Sequence, residues 1–473
     1  MIFFAIVIGI YFVSLILLGF FAHKKTKKSP EDYFLADRSF GTLILFFTLI
    51  STNFSAFTFL GFAGNSYKNG LGQFGIMGLG TGLMAIMFYV IGRKIWLLGK
   101  DKGYVTPPEL IGDLFQSKSL GFLFMFVMVV FTIPYLAVQA IGAGYLIEIF
   151  TNSLIGWKIA AVATILVIMI YVMFGGMRGS GWTDFFQGII MMIAMSLAFF
   201  SLISALGGFE NANILAYQAK PELFSRPGGN SFFIPQIWFS FMLLWLFADP
   251  MFPQLFSRFY TARSISSLKK SMILYPLVVS FLFLFPVLIG VWAHGVNLNV
   301  PSGNEDMVLP LMVENFAPTY VYALVMIGAL SALMSTADSQ LLSLSTILSR
   351  DIPFLKKIKS ELFFVRIIVV LLSFFAIFYV VLGYDPSVGI MNTLVQTTFP
   401  GLAVLCPTTI AGLYWKNSTK YGCITSIILG EISVFLFQFE IIPDFGFLPA
   451  IWAILIAVIS LILVSYITLN YNK

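Results

Sequence analysis

The chain has 473 residues, of which 59% are apolar, 17% aromatic and only 10% charged. That much apolar surface cannot be hidden inside one soluble core, which excludes an ordinary soluble enzyme or binding domain and points to the lipid bilayer. The net charge of +6 is informative only through where the charges lie, and the two cysteines, Cys406 and Cys423, sit inside apolar runs and offer neither a disulfide framework nor a metal cluster.

Apolar runs matched to the thickness of the hydrocarbon core predict thirteen spans. They fall at 2–22, 41–64, 72–98, 120–149, 156–174, 180–206, 232–256, 272–295, 319–348, 362–383, 387–414, 420–440 and 448–469. With the first residue outside, the loops facing the cytoplasm hold Lys24, Lys25, Lys27, Lys28, Arg38, Arg93, Lys94, Lys100, Lys102, Lys118 and Arg178 in the first half. The second half adds Arg258, Arg263, Lys269, Lys270, Arg350, Lys356, Lys357, Lys359, Arg366, Lys416, Lys420 and Lys473. Only Lys68, Lys158, Lys220 and Arg226 of the 27 basic residues are left outside, so the positive-inside bias predicts N-out and C-in. The first span carries its charges after the apolar stretch and shows no small-residue cleavage site, which reads as a retained helix rather than a signal peptide. The longest external stretches, 207–231 and 296–318, read as loops with short interfacial helices, and no segment reads as a soluble domain.

Four clusters within the spans hold residues that a lipid-facing helix should not contain. Ser51-Thr52-Asn53-Phe54-Ser55-Ala56-Phe57-Thr58, in the second span, predicts an interrupted helix whose freed carbonyls need partners. A cation can be that partner, and close helix packing through small residues is the alternative. The run Gly175 to Gln187 is a short turn leading into the sixth span. Its Asp184 is explained equally by helix capping and by ion binding. In Trp245-Leu246-Phe247-Ala248-Asp249-Pro250-Met251-Phe252-Pro253-Gln254, two prolines break the backbone ladder and leave Asp249 at a discontinuity deep in the seventh span. In the ninth span, Ser331 to Gln340, the residues Ala332, Ser335, Thr336 and Ser339 share one helix face. That face gathers hard oxygen ligands suited to an alkali cation.

Four segments, spread in order over most of the chain, resemble the solute:sodium symporter family. They are Asp32-Tyr33-Phe34-Leu35-Ala36-Asp37-Arg38-Ser39, the Gly175–Gln187 run, Pro253-Gln254-Leu255-Phe256-Ser257-Arg258-Phe259 with Ala262 and Ser264, and Met334-Ser335-Thr336-Ala337-Asp338-Ser339-Gln340-Leu341-Leu342. That family includes bacterial sodium/proline, sodium/pantothenate and sodium/sialic acid symporters and the animal sodium/glucose cotransporters. The resemblance implies an all-α polytopic cell-membrane protein with a LeuT-type inverted repeat. A leading helix and basic loop (1–40) would precede two five-helix repeats (41–207 and 208–415) and two trailing helices (416–473). It further implies a sodium ion held by the carbonyls of Ser51, Phe54 and Ala332 and the hydroxyls of Ser335 and Thr336. A second sodium would use Asp184 and Ser339, although Asp338 stands where another hydroxyl would be expected.

The substrate is a small organic solute, with Asn53, Ser55, Thr58, Gln139, Trp245, Asp249 and Gln396 as candidate pocket residues. Thr58, Met77 and Gly80 stand where the sugar-carrying branch places amides and carboxylates, which argues against a hexose. Gln139 resembles its counterpart in carboxylate- and amino-acid-type members, and a helix–helix hydrogen bond explains it equally well. No Lys or Arg is expected in the membrane interior near Asp249, so an amino-acid-like zwitterion such as proline is favoured over a monocarboxylate, pantothenate or sialic acid. In the alternative, Asp249 is protonated and bonds the freed backbone. Proton coupling through Asp184, Asp249 or Asp338 stays open. A sensor would need a signalling domain, a channel would move the ion without the solute, and an enzyme would need more than His23 and His294. Neither a nucleic acid nor an obligatory protein partner is expected.

Overall fold

The structure is a computed structural model that describes residues 2–25, 30–298, 300, 303–352, 361–384 and 389–469. Long apolar runs become helices because a bilayer supplies no water to backbone amides, so each segment must satisfy its own. The helices are α1 (Ile2–Lys25), α2 (Pro30–Leu35), α3 (Thr42–Asn53), α4 (Phe62–Asn69), α5 (Gly72–Lys102), α6 (Pro107–Leu114), α7 (Lys118–Phe150), α8 (Trp157–Ala205), α9 (Phe209–Ala219) and α10 (Pro235–Ala248). They continue as α11 (Pro253–Thr261), α12 (Ile265–Trp292), α13 (Val308–Phe316), α14 (Thr319–Asp351), α15 (Glu361–Phe378), α16 (Gly389–Thr393), α17 (Phe399–Tyr414), α18 (Lys420–Gln438) and α19 (Pro449–Thr468).

Among the described residues, nine helices are long and apolar enough to cross a membrane. Two bent pairs satisfy the same criterion together: the segment Thr42–Asn53 with Phe57–Asn69, at 61°, and Pro235–Met251 with Pro253–Thr261, at 57°. These are the two breaks expected from the hydroxyl-rich and the proline-rich clusters. The expected fifth and sixth spans form one 49-residue helical element, α8, interrupted at Gly176 (φ 56°, ψ −163°). Glycine is needed there because that conformation is closed to residues with a Cβ, and because the Tyr33 ring packs where a side chain would stand.

The loops sort to two ends. At one end Asp32 pairs with Arg178, Arg38 donates to the Tyr104 and Tyr260 carbonyls at 3.0 and 3.2 Å, and Arg263 N donates to Phe40 O at 2.8 Å. Thr106 Oγ1 donates to Asp351 at 2.7 Å there as well. At the other end Lys68 pairs with Glu305 at 3.0 Å and His294 Nε2 lies 2.8 Å from Tyr67 O. Leu71 N donates to Leu223 O at 2.8 Å, and Ile390 N donates to Asp306 at 2.8 Å. Among these contacts of the described residues, none joins loops expected on opposite sides of the membrane. Lys27, Lys28, Lys356, Lys357, Lys359 and Lys473, all used in the charge count, lie outside the described residues. The stretches 207–231 and 296–318 carry short helices as expected, α9 and α13 among them.

Candidate functional site: two helix breaks and a buried ion pair

The break between α3 and α4 is built from local chemistry. Phe54 leaves the helix in an extended conformation (φ −74°, ψ 112°), and Ser55 O accepts from Thr58 N and Phe59 N at 3.0 and 3.1 Å. The amide of Ala56, freed by the break, donates to Gln139 Oε1 at 2.9 Å, while Gln139 Nε2 donates to Tyr135 O at 3.2 Å. Ser55 Oγ accepts from Phe57 N at 3.2 Å.

Facing the break, Thr336 Oγ1 lies 2.9 Å from Phe54 O, 3.1 Å from Ala332 O and 3.4 Å from Ser51 O. One hydroxyl has one proton to give, so three carbonyls and a hydroxyl bring more lone pairs than donors, an oxygen-rich concentration that suits a hard cation. Four of the five expected sodium ligands are thus gathered at one place. The fifth, Ser335, turns its hydroxyl to Asp184 Oδ1 at 2.8 Å.

Asp184 lies within α8, away from its termini, and so caps no helix end. Arg258, counted above in a cytoplasmic loop, is instead fully buried, and its Nη2 lies 2.8 Å from Asp184 Oδ2. The reason is positional: α11 starts at Pro253 inside the protein, and five residues of helix carry Arg258 only about 7.5 Å further. The same Nη2 lies 2.6 Å from Ser339 Oγ and 2.9 Å from Ser180 Oγ. Asp338 joins from α14, 3.1 Å from the Tyr171 hydroxyl and 3.1 Å from Ser339 Oγ. The guanidinium therefore sits among the groups assigned above to a second sodium.

The second break, at Asp249–Phe252, faces the first across a small cavity of about 20 Å³. Asn53, Thr58, Trp245 and Asp249 line it. Aromatic rings wall it: Phe399 is 5.6 Å from Phe57, 5.6 Å from Trp245, 5.3 Å from Tyr135 and 5.0 Å from Phe252. Asn53 Nδ2 lies 3.3 Å from Asp249 Oδ2 and 2.5 Å from the Tyr275 hydroxyl. Asp249 Oδ1 and Trp245 Nε1 have no hydrogen-bond partner among the described residues. Of the other pocket candidates, Ser55 and Gln139 serve the backbone at the first break. Gln396 lines a separate outer cavity of about 390 Å³ with Asn230, Asn392 and Asp444. Phe241 belongs to that outer cavity, and its ring lies 5.7 Å from that of Trp245, which closes the inner one. The wall residues Tyr135, Phe252 and Phe399 were missed by sequence reasoning. Their only signal was aromatic residues beside prolines, which core packing produces as readily.

Two broken spans meeting around an aromatic-walled pocket that holds one carboxylate, inside a bundle of membrane-crossing helices, define a multi-pass cell-membrane transporter. The sodium:solute symporter family model matches residues 33–430. The chain belongs to the sodium:solute symporter family. It is 28% identical over 456 residues to the sodium/pantothenate symporter of Haemophilus influenzae, covering 93% of each chain. It is 27% identical over 487 residues to the sodium/proline symporter of Staphylococcus aureus, covering 98% of this chain and 92% of that one. Its fold matches a solved substrate-bound, outward-open Na+-coupled sialic acid symporter with a TM-score of 0.80 at 18% identity, covering 99% and 98% of the two chains. It matches a nucleobase-cation-symport-1 family transporter in a closed conformation with a TM-score of 0.63 at 12% identity, covering 94% and 95%.

Proposed function

We propose that this protein imports a small organic solute by alternating access, driven by one sodium ion bound between Ser51, Phe54, Ala332, Ser335 and Thr336. The observation that carries the reading is Thr336 Oγ1 lying among three carbonyl oxygens at the helix break. Thirteen spans follow from counting each bent pair once, dividing α8 at Gly176, and adding α1 and the other apolar helices. The excess of Lys and Arg in one set of loops supports the N-out, C-in arrangement, and the two bent pairs, one near the start of each expected repeat, support the division into two five-helix repeats. A single sodium is favoured because the guanidinium of Arg258 already supplies a positive charge to Asp184 and Ser339.

The solute is an amino-acid-like zwitterion. Asp249 faces the cavity with one oxygen unpartnered, Arg258 is taken by Asp184, and an ammonium both balances the carboxylate and suits aromatic walls. The likeness to a sodium/pantothenate symporter motivates a second reading, a monocarboxylate. Uptake by proteoliposomes of proline and other amino acids, pantothenate, other monocarboxylates and sialic acid, with and without a sodium gradient, separates them. Sodium-independent uptake overturns the coupling, and uptake of purely anionic solutes alone overturns the zwitterion.

A further inference from the structure

Beyond the cavity the chain holds a second set of polar groups. Gln254 and Gln340 are completely buried, and neither the oxygen nor the nitrogen of either amide has a hydrogen-bond partner among the described residues. Thr132 Oγ1 and Ser343 Oγ are buried and unpartnered as well. A buried amide without partners is costly, and two whole amides left so call for an explanation.

They lie on α7, α11 and α14, and both α7 and α11 pack against α14. Gln340 and Ser343 lie one and two turns beyond Thr336 on the same face of α14, within about 40° of it at 100° per residue. Helices α7 and α14 run antiparallel: the Phe150 ring packs at a tilt beside Tyr322, with ring centroids 5.3 Å apart, and Leu333 packs where a side chain on Gly142 would stand. Carried along both helices, that register would set Tyr135 near Gln340 and Thr132 near Ser343. Helix α11 enters between two anchors, the Phe252 ring 5.4 Å from the Tyr135 ring and Arg258 2.6 Å from Ser339 Oγ. Gln254 lies between those anchors.

We propose that Thr132, Gln254, Gln340 and Ser343 line the release path of the sodium ion from the Thr336 site to the cytoplasm. The inference rests on the sodium-coupled reading and its N-out orientation. The amide and hydroxyl oxygens are ligands for a partly dehydrated alkali cation. With α11 packed against α14 they are buried and unpaired; when the inner side opens, water and the departing ion satisfy them. The cost of leaving them unpaired then bears on the closed state and favours release.

The test uses the full chain in inside-out and right-side-out vesicles. Both native cysteines are buried, so a single new cysteine reports its own exposure. Ser343→Cys should react with a hydrophilic maleimide from the cytoplasmic side without sodium and be protected when sodium is added. Asn392→Cys, in the outer cavity, should change in the opposite sense. A Ser343→Cys chain that reacts from neither side, or from the outer side only, overturns the release path. If sodium alters labelling at neither position, the sodium-coupled reading itself falls, and the path with it. Replacing Gln254 and Gln340 together by leucine should lower maximal uptake roughly tenfold while the sodium concentration for half-maximal uptake stays unchanged. Native turnover in that pair overturns the path.

Discussion

Arg258 and Asp184 meet at 2.8 Å with both side chains fully buried, joining the inner half of the second broken span to the long helix α8. A buried pair of this kind is held together by mutual need, because removing one partner strands the other charge away from water. Arg258→Gln should therefore lower stability by about 3–5 kcal/mol, and adding Asp184→Asn should recover part of the loss. Thermal unfolding of the purified variants in detergent checks this. A single variant as stable as the parent would show that the pair is dispensable.

Thr336 and Ser335 separate two roles that neighbouring residues share in the sequence. Thr336→Ala removes an oxygen from among three carbonyls, and loss of a charge-assisted contact worth about 1.5–3 kcal/mol raises the sodium needed for half-maximal uptake at least several-fold. Ser335→Ala should raise it as well, and it should also shift the sodium dependence through Asp184, which loses a 2.8 Å hydrogen bond. Sodium titrations of uptake measure both. Unchanged titrations in both variants would remove this site from coupling.

Asp249→Asn tests the counter-charge. The amide is nearly isosteric with a protonated acid, so a merely hydrogen-bonding Asp249 would leave uptake intact. Loss of an ion-pair partner should weaken solute binding by roughly 2–5 kcal/mol. Competition binding of the transported solute provides the measurement.

Gly80 faces the Trp245 indole so closely that a methyl group there would collide with Cδ1. Gly80→Ala should push the Trp245 ring into the cavity and raise the apparent KM for solute while leaving the sodium dependence in place. Equal changes in both would mean that the ring does not border the solute.

Asp306, in the loop outside the spans, is pushed up to about 6 by burial, against the opposing pull of the Ile390 amide and Lys68. A carboxyl whose folded value lies above its unfolded one contributes stability at low pH and loses it as pH rises through about 6. Asp306→Asn still accepts the Ile390 amide and should flatten the pH dependence of the unfolding temperature between about pH 4 and 6. A variant with the parent's slope would assign that slope elsewhere.

By itself, the sequence determined that the protein lives in a bilayer, where its apolar runs lie, and that two spans break at Ser51–Thr58 and Ala248–Pro253. These are local matters of apolar length, proline geometry and backbone groups left without partners, so they can be read from neighbouring residues. Which polar groups face one another was decided only by the tertiary structure. Gln139 spends its amide on the Ala56 backbone, Gln396 lines an outer cavity, and Arg258 leaves its expected loop to meet Asp184, 74 positions away. Those outcomes depend on the depth, rotation and register of helices far apart in the chain. A rotation of one residue, about 100°, would turn each side chain to a different neighbour.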